Sequence, residues 1–210
     1  MRVTITKPEW EAVYYKSEEK EGQVKIENET QEQEMEKVQI VLSELQEHGL
    51  IPRSTYDERG FAKFRELVHE NFFVFWTAIN PPMERLLYAL SEIIRPSNIL
   101  ALGIFTGNPA VWSMGPAMQN VYDSVKRVAV EIDENNARLC NDNFTELANV
   151  METKAKVTIL GEDGFDVLDR YQDGEIDLLY LDANGVDPET GDSSKRINYS
   201  FLKKAYPKIK

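Results

Sequence analysis

The second half of the chain alternates between short apolar runs and stretches with helical periodicity. The apolar runs are rich in leucine and β-branched residues with little polar alternation, which is typical of strands covered on both faces. Such strands, joined to helices by short connections, predict a doubly wound, mainly parallel α/β sheet. The predicted strands are Ile99 to Ile104, Arg127 to Ile132, Lys156 to Leu160 and Ile176 to Leu181, with helices starting at Pro109, Glu134, Phe165 and about Tyr199.

The residues before this alternation have a different character. Residues 1–60 are polar and rich in Glu and Gln, and we expect an acidic helical segment there, with a helix from Glu29 to His48. Residues 61–210 form the predicted sheet domain with its leading helices. One leading helix, Phe61 to Trp76, carries an aromatic stripe typical of a core or an interface. Asn80 caps the next, with Pro81 at its first position.

Composition and charge limit the partners, the disulfide bonds and the location that we expect for this chain. The 210-residue chain has a formal net charge of −12, which disfavours binding to the phosphates of nucleic acid. No apolar run is long enough to span a bilayer, so no membrane partner is expected. The only cysteine, Cys140, excludes an internal disulfide. Because the start of the chain lacks a signal peptide, we expect a cytoplasmic location.

Glycines and polar residues follow the first two predicted strands, at the sheet edge where doubly wound folds bind ligands. Gly103 and Gly107 shape the first loop, with Asn108 as the expected cap of the next helix. This loop either presents backbone amides to a ligand or is an ordinary tight turn. Glu131 ends the second strand, where a carboxylate can accept hydrogen bonds from a ribose diol, while Asp133 caps the following helix.

The third and fourth strand ends carry further acids. Asp163, next to Gly164, can accept a hydrogen bond from the exocyclic amine of an adenine, and Phe165 can cover the adenine ring. Asp182 lies at the tip of the fourth strand. The two glycines of the first loop do not follow the G-x-G-x-x-G pattern of nicotinamide dinucleotide sites. Their spacing favours an adenosine ligand without a pyrophosphate.

From about Ile79 to Lys210 the chain resembles class I S-adenosylmethionine-dependent methyltransferases, above all the small catechol and caffeoyl-CoA O-methyltransferases. The matching pieces are INPPMERLLYAL, ILALGIFTGNPAVW, VAVEIDENNARLCNDNF, VTILGEDGFDVL and IDLLYLDAN, in the order of the family. The resemblance implies a Rossmann-like fold, C-terminally truncated because the family continues into a fifth strand. It also implies S-adenosylmethionine binding by Gly103, Phe105, Gly107, Asn108, Glu131, Ile132, Asp163, Gly164 and Phe165.

The same resemblance implies roles for two residues near the methyl group. In metal-dependent members the acid at the position of Asp182 is a divalent-cation ligand, which implies a magnesium ion held by Asp182 and a catalytic role for this residue. The lysine that the family keeps nearby is replaced by Gly185, and Lys195 is expected to stand in for it as a catalytic residue.

Three functional hypotheses follow. The first is methyl transfer from S-adenosylmethionine to an oxygen of a small hydroxylated substrate. The second is a binding or scaffold protein that retains the fold without catalysis. Ala101, Pro109 and Gly185 favour this second hypothesis because the family has polar side chains at these positions. The third, a nicotinamide oxidoreductase, is disfavoured by the glycine spacing. A truncated sheet leaves an open edge, which predicts a homodimer.

Overall fold

The strands of the computed structural model build a parallel sheet. The model describes residues 30–73, 79–123 and 126–210. Four strands pair in parallel in the order third, second, first, fourth, and two later strands form an antiparallel hairpin. The parallel strands are β1 (Asn98–Leu102), β2 (Lys126–Val130), β3 (Thr158–Leu160) and β4 (Leu178–Leu181), and the hairpin strands are β5 (Gly185–Val186) and β6 (Ser193–Ser194). The predicted doubly wound α/β class is confirmed.

Helices precede the sheet and connect its strands. Among the described residues, no helix is long and apolar enough to cross a membrane. The helices are α1 (Gln31–Glu47), α2 (Glu58–Asn71), α3 (Pro81–Ile94), α4 (Asn108–Met118), α5 (Glu134–Val150), α6 (Gly164–Leu168) and α7 (Ile197–Ala205), followed by a 3-10 turn at Tyr206–Lys208.

Both faces of the sheet are buried, which explains the nearly uninterrupted apolar strands. Successive residues of a strand point to opposite faces. In β1, Ile99 and Ala101 belong to the core beneath α2, α4 and α5, whereas Leu100 and Leu102 belong to the core beneath α6 and α7. The aromatic stripe of α2 is therefore core, because its phenylalanines pack against the buried Trp112 of α4.

The leading helix α1 is tied to the rest of the molecule by apolar and ionic contacts. Val38 and Leu42 of α1 lie in one cluster with Ala89 and Ile93 of α3. Glu34 is almost fully buried and pairs with Arg85 and with Arg65, the latter at 2.8 Å. Burial raises the pKa of Glu34, but hydrogen bonds from these two arginines outweigh it and hold the pKa below its ordinary value.

Several predicted boundaries differ from the structure by a few residues. The first two strands end at Leu102 and Val130, two residues earlier than predicted, and the third is shorter at its start. The strand β1 ends there because Gly103 adopts a left-handed conformation with φ of +74°. The helix expected from Phe61 begins three residues earlier, after its cap Asp57, and its predicted end at Trp76 lies outside the described residues.

The outer edge of β4 is met by the last residues of the chain. Ile209 forms a parallel bridge with Ile176, just before β4, through hydrogen bonds of 2.8 and 3.0 Å that Ile176 makes with Lys208 and Lys210. Along the rest of β4, the described strands pair only with the β1 side of the strand.

Candidate functional site

The loops that follow the four parallel strands surround one cavity of about 980 Å³. This position follows from the topology, because parallel strands bring their carboxyl ends to one edge of the sheet. The hairpin of β5 and β6 and the start of α7 complete the wall. The sequence-predicted site residues that line the cavity are Gly103, Phe105, Asn108, Glu131, Ile132, Asp163, Gly164, Phe165, Asp182 and Lys195.

The turn at Gly103 brings the first loop against the tip of β4. A Cβ atom at Gly103 would lie 2.2 Å from Cα and 2.4 Å from N of Ala183. Both are backbone atoms, so no rotamer change would relieve the clash. Gly103 is therefore required by close approach as well as by its positive φ. The ends of β1 and β4 are therefore in direct contact at the cavity wall.

The start of α4 differs from the predicted capping arrangement. Gly107, with φ of +98°, is the N-cap, and no side chain caps the helix. Asn108 is thus the first helical residue, and the prediction that it caps the helix is wrong. Its amide oxygen and nitrogen are buried and have no hydrogen-bond partner among the described residues. Since Asn108 lines the cavity, a ligand there can satisfy this amide.

Thr106 is a site residue that the sequence reasoning missed. Its side chain is 2% exposed, lines the cavity, and has a hydroxyl without a hydrogen-bond partner in the described part of the chain. Its position between the two loop glycines was the available signal. Together with Asn108, it places unpaired polar atoms in the wall next to the helix start.

Gly107 lies behind the cavity wall. It is not among the lining residues, and a Cβ there would lie 2.7 Å from Sγ of Cys140 and 3.1 Å from the Phe72 ring. Gly107 therefore permits close packing of the loop on α2 and α5 and shapes the site from outside. Burial raises the pKa of the Cys140 thiol to about 12, so the thiol is protonated at neutral pH.

Glu131 joins the second strand end to the first loop. One carboxylate oxygen accepts a hydrogen bond of 2.8 Å from the backbone N–H of Phe105, and the other accepts one of 3.1 Å from Asp133. Each oxygen retains a lone pair for a ligand hydroxyl. Asp133 caps α5, as predicted, by accepting from the N–H groups of Asn135 and Asn136.

The third strand end places an acid, a glycine and an aromatic ring in sequence. Asp163 caps α6 by accepting a 2.7 Å hydrogen bond from the N–H of Phe165, which leaves its second oxygen without a partner in the hydrogen bonds described. The Phe165 ring packs on the ring of Phe201 with centroids 4.2 Å apart. A Cβ at Gly164 would meet that Phe201 ring at 2.9 Å. Phe165 is therefore held in place at the cavity by α7.

Asp182 and Lys195 form an ion pair at the fourth strand end. The Lys195 Nζ contacts the Asp182 carboxylate and also donates a 2.7 Å hydrogen bond to the main-chain oxygen of Asp182. Asn198 fixes the adjacent residue, because its amide accepts from the N–H of Ala183 and donates to its carbonyl, at 2.9 and 3.0 Å. The structure thus brings the two predicted catalytic residues together.

The donor set near Asp182 does not fit a magnesium ion. Magnesium prefers several oxygen ligands in near-octahedral geometry. Within the described ranges, no group of three or more His, Cys, Asp or Glu side chains is placed to hold a metal. The Asp182 carboxylate is already paired with Lys195, and the next residues toward β5 are Ala183 and Asn184. The predicted magnesium ion is therefore not supported by these residues.

The cavity wall is acidic overall. The charged side chains among its described lining residues are four carboxylates and one cation, namely Glu131, Glu162, Asp163, Asp182 and Lys195. Such a wall favours a ligand with positive charge and disfavours a pyrophosphate. This balance agrees with the absence of the dinucleotide glycine pattern in the first loop.

Comparison with known proteins places this architecture among solved structures. No protein-family model and no curated protein matches the sequence. A Klebsiella pneumoniae protein assigned as an O-methyltransferase is 18% identical over 74% of this chain, with a TM-score of 0.50. The O-methyltransferase from Bacillus cereus in complex with SAH is 18% identical over 74% of the chain, with a TM-score of 0.47. TomG, an O-methyltransferase from Streptomyces achromogenes in complex with SAM, is 22% identical over 83%, with a TM-score of 0.46.

These comparisons bear on the fold. The chain spans 62% of the Klebsiella protein, 63% of the Bacillus protein and 67% of TomG. The likeness to the Klebsiella structure shows that the two proteins share a fold, and the parallel strand order agrees with the Rossmann-like sheet that the sequence predicts.

Proposed function

We propose that this chain binds S-adenosylmethionine in the strand-end cavity and transfers its methyl group to an oxygen of a small hydroxylated molecule. The observation that carries the proposal is the convergence of all four strand-end loops on one acidic cavity with unpaired polar groups in its wall. The sulfonium and ammonium groups of S-adenosylmethionine supply the positive charge that this wall favours.

The strand ends divide the cofactor among them. Glu131, at the end of β2, accepts hydrogen bonds from the ribose hydroxyls. Ile132 and Phe165 contact the faces of the adenine. The second carboxylate oxygen of Asp163 accepts a hydrogen bond from the exocyclic amine of the adenine. Ile132 is 67% exposed in the structure, so an apolar contact with a base would remove its side chain from water.

The amino-acid end of the cofactor lies against the first loop. There the buried amide of Asn108 and the buried hydroxyl of Thr106 have no partner in the described residues. A carboxylate and an ammonium group offer acceptors and donors for both side chains. Binding would thus remove a cost that the unliganded site carries, because buried polar groups without partners are destabilising.

Catalysis rests on alignment. The acceptor oxygen, the methyl carbon and the sulfur must lie in line, and a fixed cavity wall supplies this order before the reaction. Asp182 and Lys195 lie at the end of the cavity nearest β4 and the hairpin, where we place the acceptor hydroxyl. Val186 of the hairpin and Ile197 at the start of α7 line the same end of the cavity, and we assign them as the apolar wall for the body of the acceptor.

Isothermal titration calorimetry with S-adenosylmethionine and S-adenosylhomocysteine tests the binding step. We expect saturable heat at one site and competition between the two compounds. Absence of heat and of competition at high protein concentration would refute the proposal. Turnover is then measured as S-adenosylhomocysteine release over a panel of phenols and other hydroxyl compounds. Binding without turnover over the whole panel supports the alternative of a catalytically impaired binding or scaffold protein.

We further propose that the chain forms a homodimer through the side of β4 that the described strands leave open. Unpaired strand edges are templates for pairing with another chain. The nearby helix α7 and the turn after it expose Tyr199, Leu202 and Tyr206, which a second copy would cover. Multi-angle light scattering is expected to give twice the monomer mass, and a monomer at all concentrations would contradict this.

A further inference from the structure

Lys195 is the one cationic side chain among the described residues that line the cavity. Its Nζ is engaged twice by the same residue, through the carboxylate and the main-chain oxygen of Asp182. The side chains of Lys195 and Asp182 are 60% and 40% exposed, so solvent or a ligand reaches both. Exposed ion pairs contribute little to folding, because solvent screens the two charges. A gain in stability is therefore a weak explanation for this pair.

The position of Lys195 is fixed from both sides in the chain. On the hairpin side, Asp187 is 1% exposed and accepts hydrogen bonds of 2.9 Å from the Ser200 hydroxyl and the Glu189 N–H. On the helix side, Asn198 holds both backbone groups of Ala183. These two sets of hydrogen bonds connect the hairpin and α7 to the tip of β4. They fix the backbone on both sides of Lys195, so that its side chain reaches Asp182.

This arrangement changes what Asp182 offers to a bound ligand. A free carboxylate at the strand tip would attract a divalent cation, but here an ammonium group of this chain balances its charge. The neighbouring described residues supply no second carboxylate, since Ala183, Asn184 and Gly185 follow it in the sequence. The positive charge next to the acceptor site thus comes from the chain itself.

We infer that Lys195 supplies the fixed positive charge that stabilises the ionised acceptor oxygen, so that methyl transfer by this chain needs no divalent cation. This inference rests on the proposed function and assigns the chemistry of the acceptor half of that site. A preorganised charge aimed at a developing oxyanion lowers the barrier without reorganisation during the reaction.

The step balances without a metal or another reactant. The acceptor hydroxyl loses its proton to the Asp182 carboxylate, and the ammonium group of Lys195 stabilises the resulting oxyanion. An electron pair on that oxygen forms the bond to the methyl carbon. The bond between carbon and sulfur breaks, and its electron pair stays on sulfur, giving neutral thioether in S-adenosylhomocysteine. The proton then leaves Asp182 for water.

The substitution Lys195→Met tests the role of the charge, because methionine keeps an unbranched chain of similar length without the ammonium group. Lys203→Met is the matched control, since Lys203 pairs with Glu189 on the surface and is not among the lining residues. We expect turnover of Lys195→Met to fall roughly 100-fold, with S-adenosylmethionine affinity unchanged by calorimetry. Lys203→Met is expected to keep both. Wild-type turnover in Lys195→Met would overturn the inference.

Metal dependence gives a second and independent measurement. Turnover of the wild-type chain is expected to be equal in EDTA and in added Mg²⁺. Added Mn²⁺ is expected to leave the NMR signals of the Asp182 and Ala183 amides unbroadened, a measurement that needs neither cofactor nor turnover. Selective broadening of these amides, or loss of turnover in EDTA with recovery in Mg²⁺, would overturn the inference. Failure of the proposed function is distinguishable because it appears as absence of cofactor heat in the wild-type chain.

Discussion

Glu131 at the end of β2 accepts a 2.8 Å hydrogen bond from the backbone N–H of Phe105 in the loop after β1. The same carboxylate is the proposed partner of the ribose hydroxyls, so it links the shape of the loop to cofactor binding. Phe105 has a positive φ of 51°, an uncommon conformation for a non-glycine residue. The hydrogen bond that the Phe105 N–H donates to Glu131 is one of the contacts that stabilise this conformation.

Glu131→Gln is expected to weaken S-adenosylmethionine binding about tenfold or more, because hydrogen bonds to a charged group are worth roughly 1.5–3 kcal/mol. Glutamine retains one acceptor oxygen, so the fold is expected to persist. Calorimetry measures the affinity. Glu134→Gln, an exposed change three residues later in the first turn of α5, is the control. Equal affinities for both variants would contradict the ribose role.

Asn108→Leu is expected to stabilise the unliganded chain while it weakens cofactor binding. The amide is buried without a described partner, and replacing it with an apolar group of similar shape removes a cost of about 1 kcal/mol. Urea denaturation measures the free energy of unfolding, and calorimetry measures the affinity. Asn149→Leu, on the exposed surface of α5, is expected to change neither. A destabilised Asn108→Leu chain with unchanged affinity would refute this assignment.

Gly103→Ala is expected to lower the free energy of unfolding by about 3 kcal/mol or more, because its Cβ would overlap backbone atoms of Ala183. The control is Gly174→Ala, at a similar φ of +68° but with nothing within 4 Å of its Cβ. This change is expected to cost only about 1 kcal/mol, the price of a left-handed conformation. Chemical denaturation measures the free energy of unfolding of both variants, and the difference between them is the cost of steric overlap alone. Equal losses of stability in the two variants would contradict an overlap at Gly103.

Glu84 makes stability depend on pH near neutrality. It is 6% exposed, and burial raises its pKa to about 7 against the attraction of Arg65, whose Nε lies 3.2 Å away. Because folding raises the pKa of Glu84, the folded chain binds a proton at this carboxyl more tightly than the unfolded chain does. The resulting stabilisation of the folded chain is complete below the unfolded pKa and is lost as pH rises through about 7. From about pH 5.5 to about pH 8 the free energy of unfolding is expected to fall by about 2 kcal/mol from this group.

Urea denaturation across this pH range measures the effect. Glu84→Gln is expected to remove the dependence and to be more stable than the wild-type chain at the alkaline end. Glu66→Gln, an exposed acid on α2, is expected to retain the wild-type profile. A wild-type slope in Glu84→Gln would show that another group titrates.

The sequence predicts that the residues after each strand lie around one site, because a parallel sheet brings all strand ends to one edge whatever the conformations of the loops. The roles of single loop residues were less predictable. Whether Asn108 caps α4 depends on Gly107 taking φ of +98°, and Gly107 takes it while packed against Cys140 and Phe72. Those contacts come from helices far away in the sequence, so the local pattern did not contain them.

The resemblance predicts that Lys195 lies near Asp182, but it predicts neither the ion pair between them nor the structure that forms it. The segment that follows Asp182 folds into the hairpin of β5 and β6. Its hairpin depends on Asp187, buried against Ser200, and on Asn198, which reaches back to Ala183. Each of these contacts joins residues more than ten positions apart. Polar residues in a polar segment give no local signal of such partners.

The hairpin of β5 and β6 is anchored at its base and exposed at its tip. Asp187 and Asn198 fix the base, whereas a Cβ at Gly191 would have open space around it. The tip can therefore vary in length and chemistry without disturbing the loops after β1, β2 and β3, which line the rest of the cavity. The base lines the cavity through Val186 and Pro188, whereas Gly191 at the tip does not. Under the proposed function, changes at these two lining positions would alter acceptor preference, and changes at the tip would be neutral.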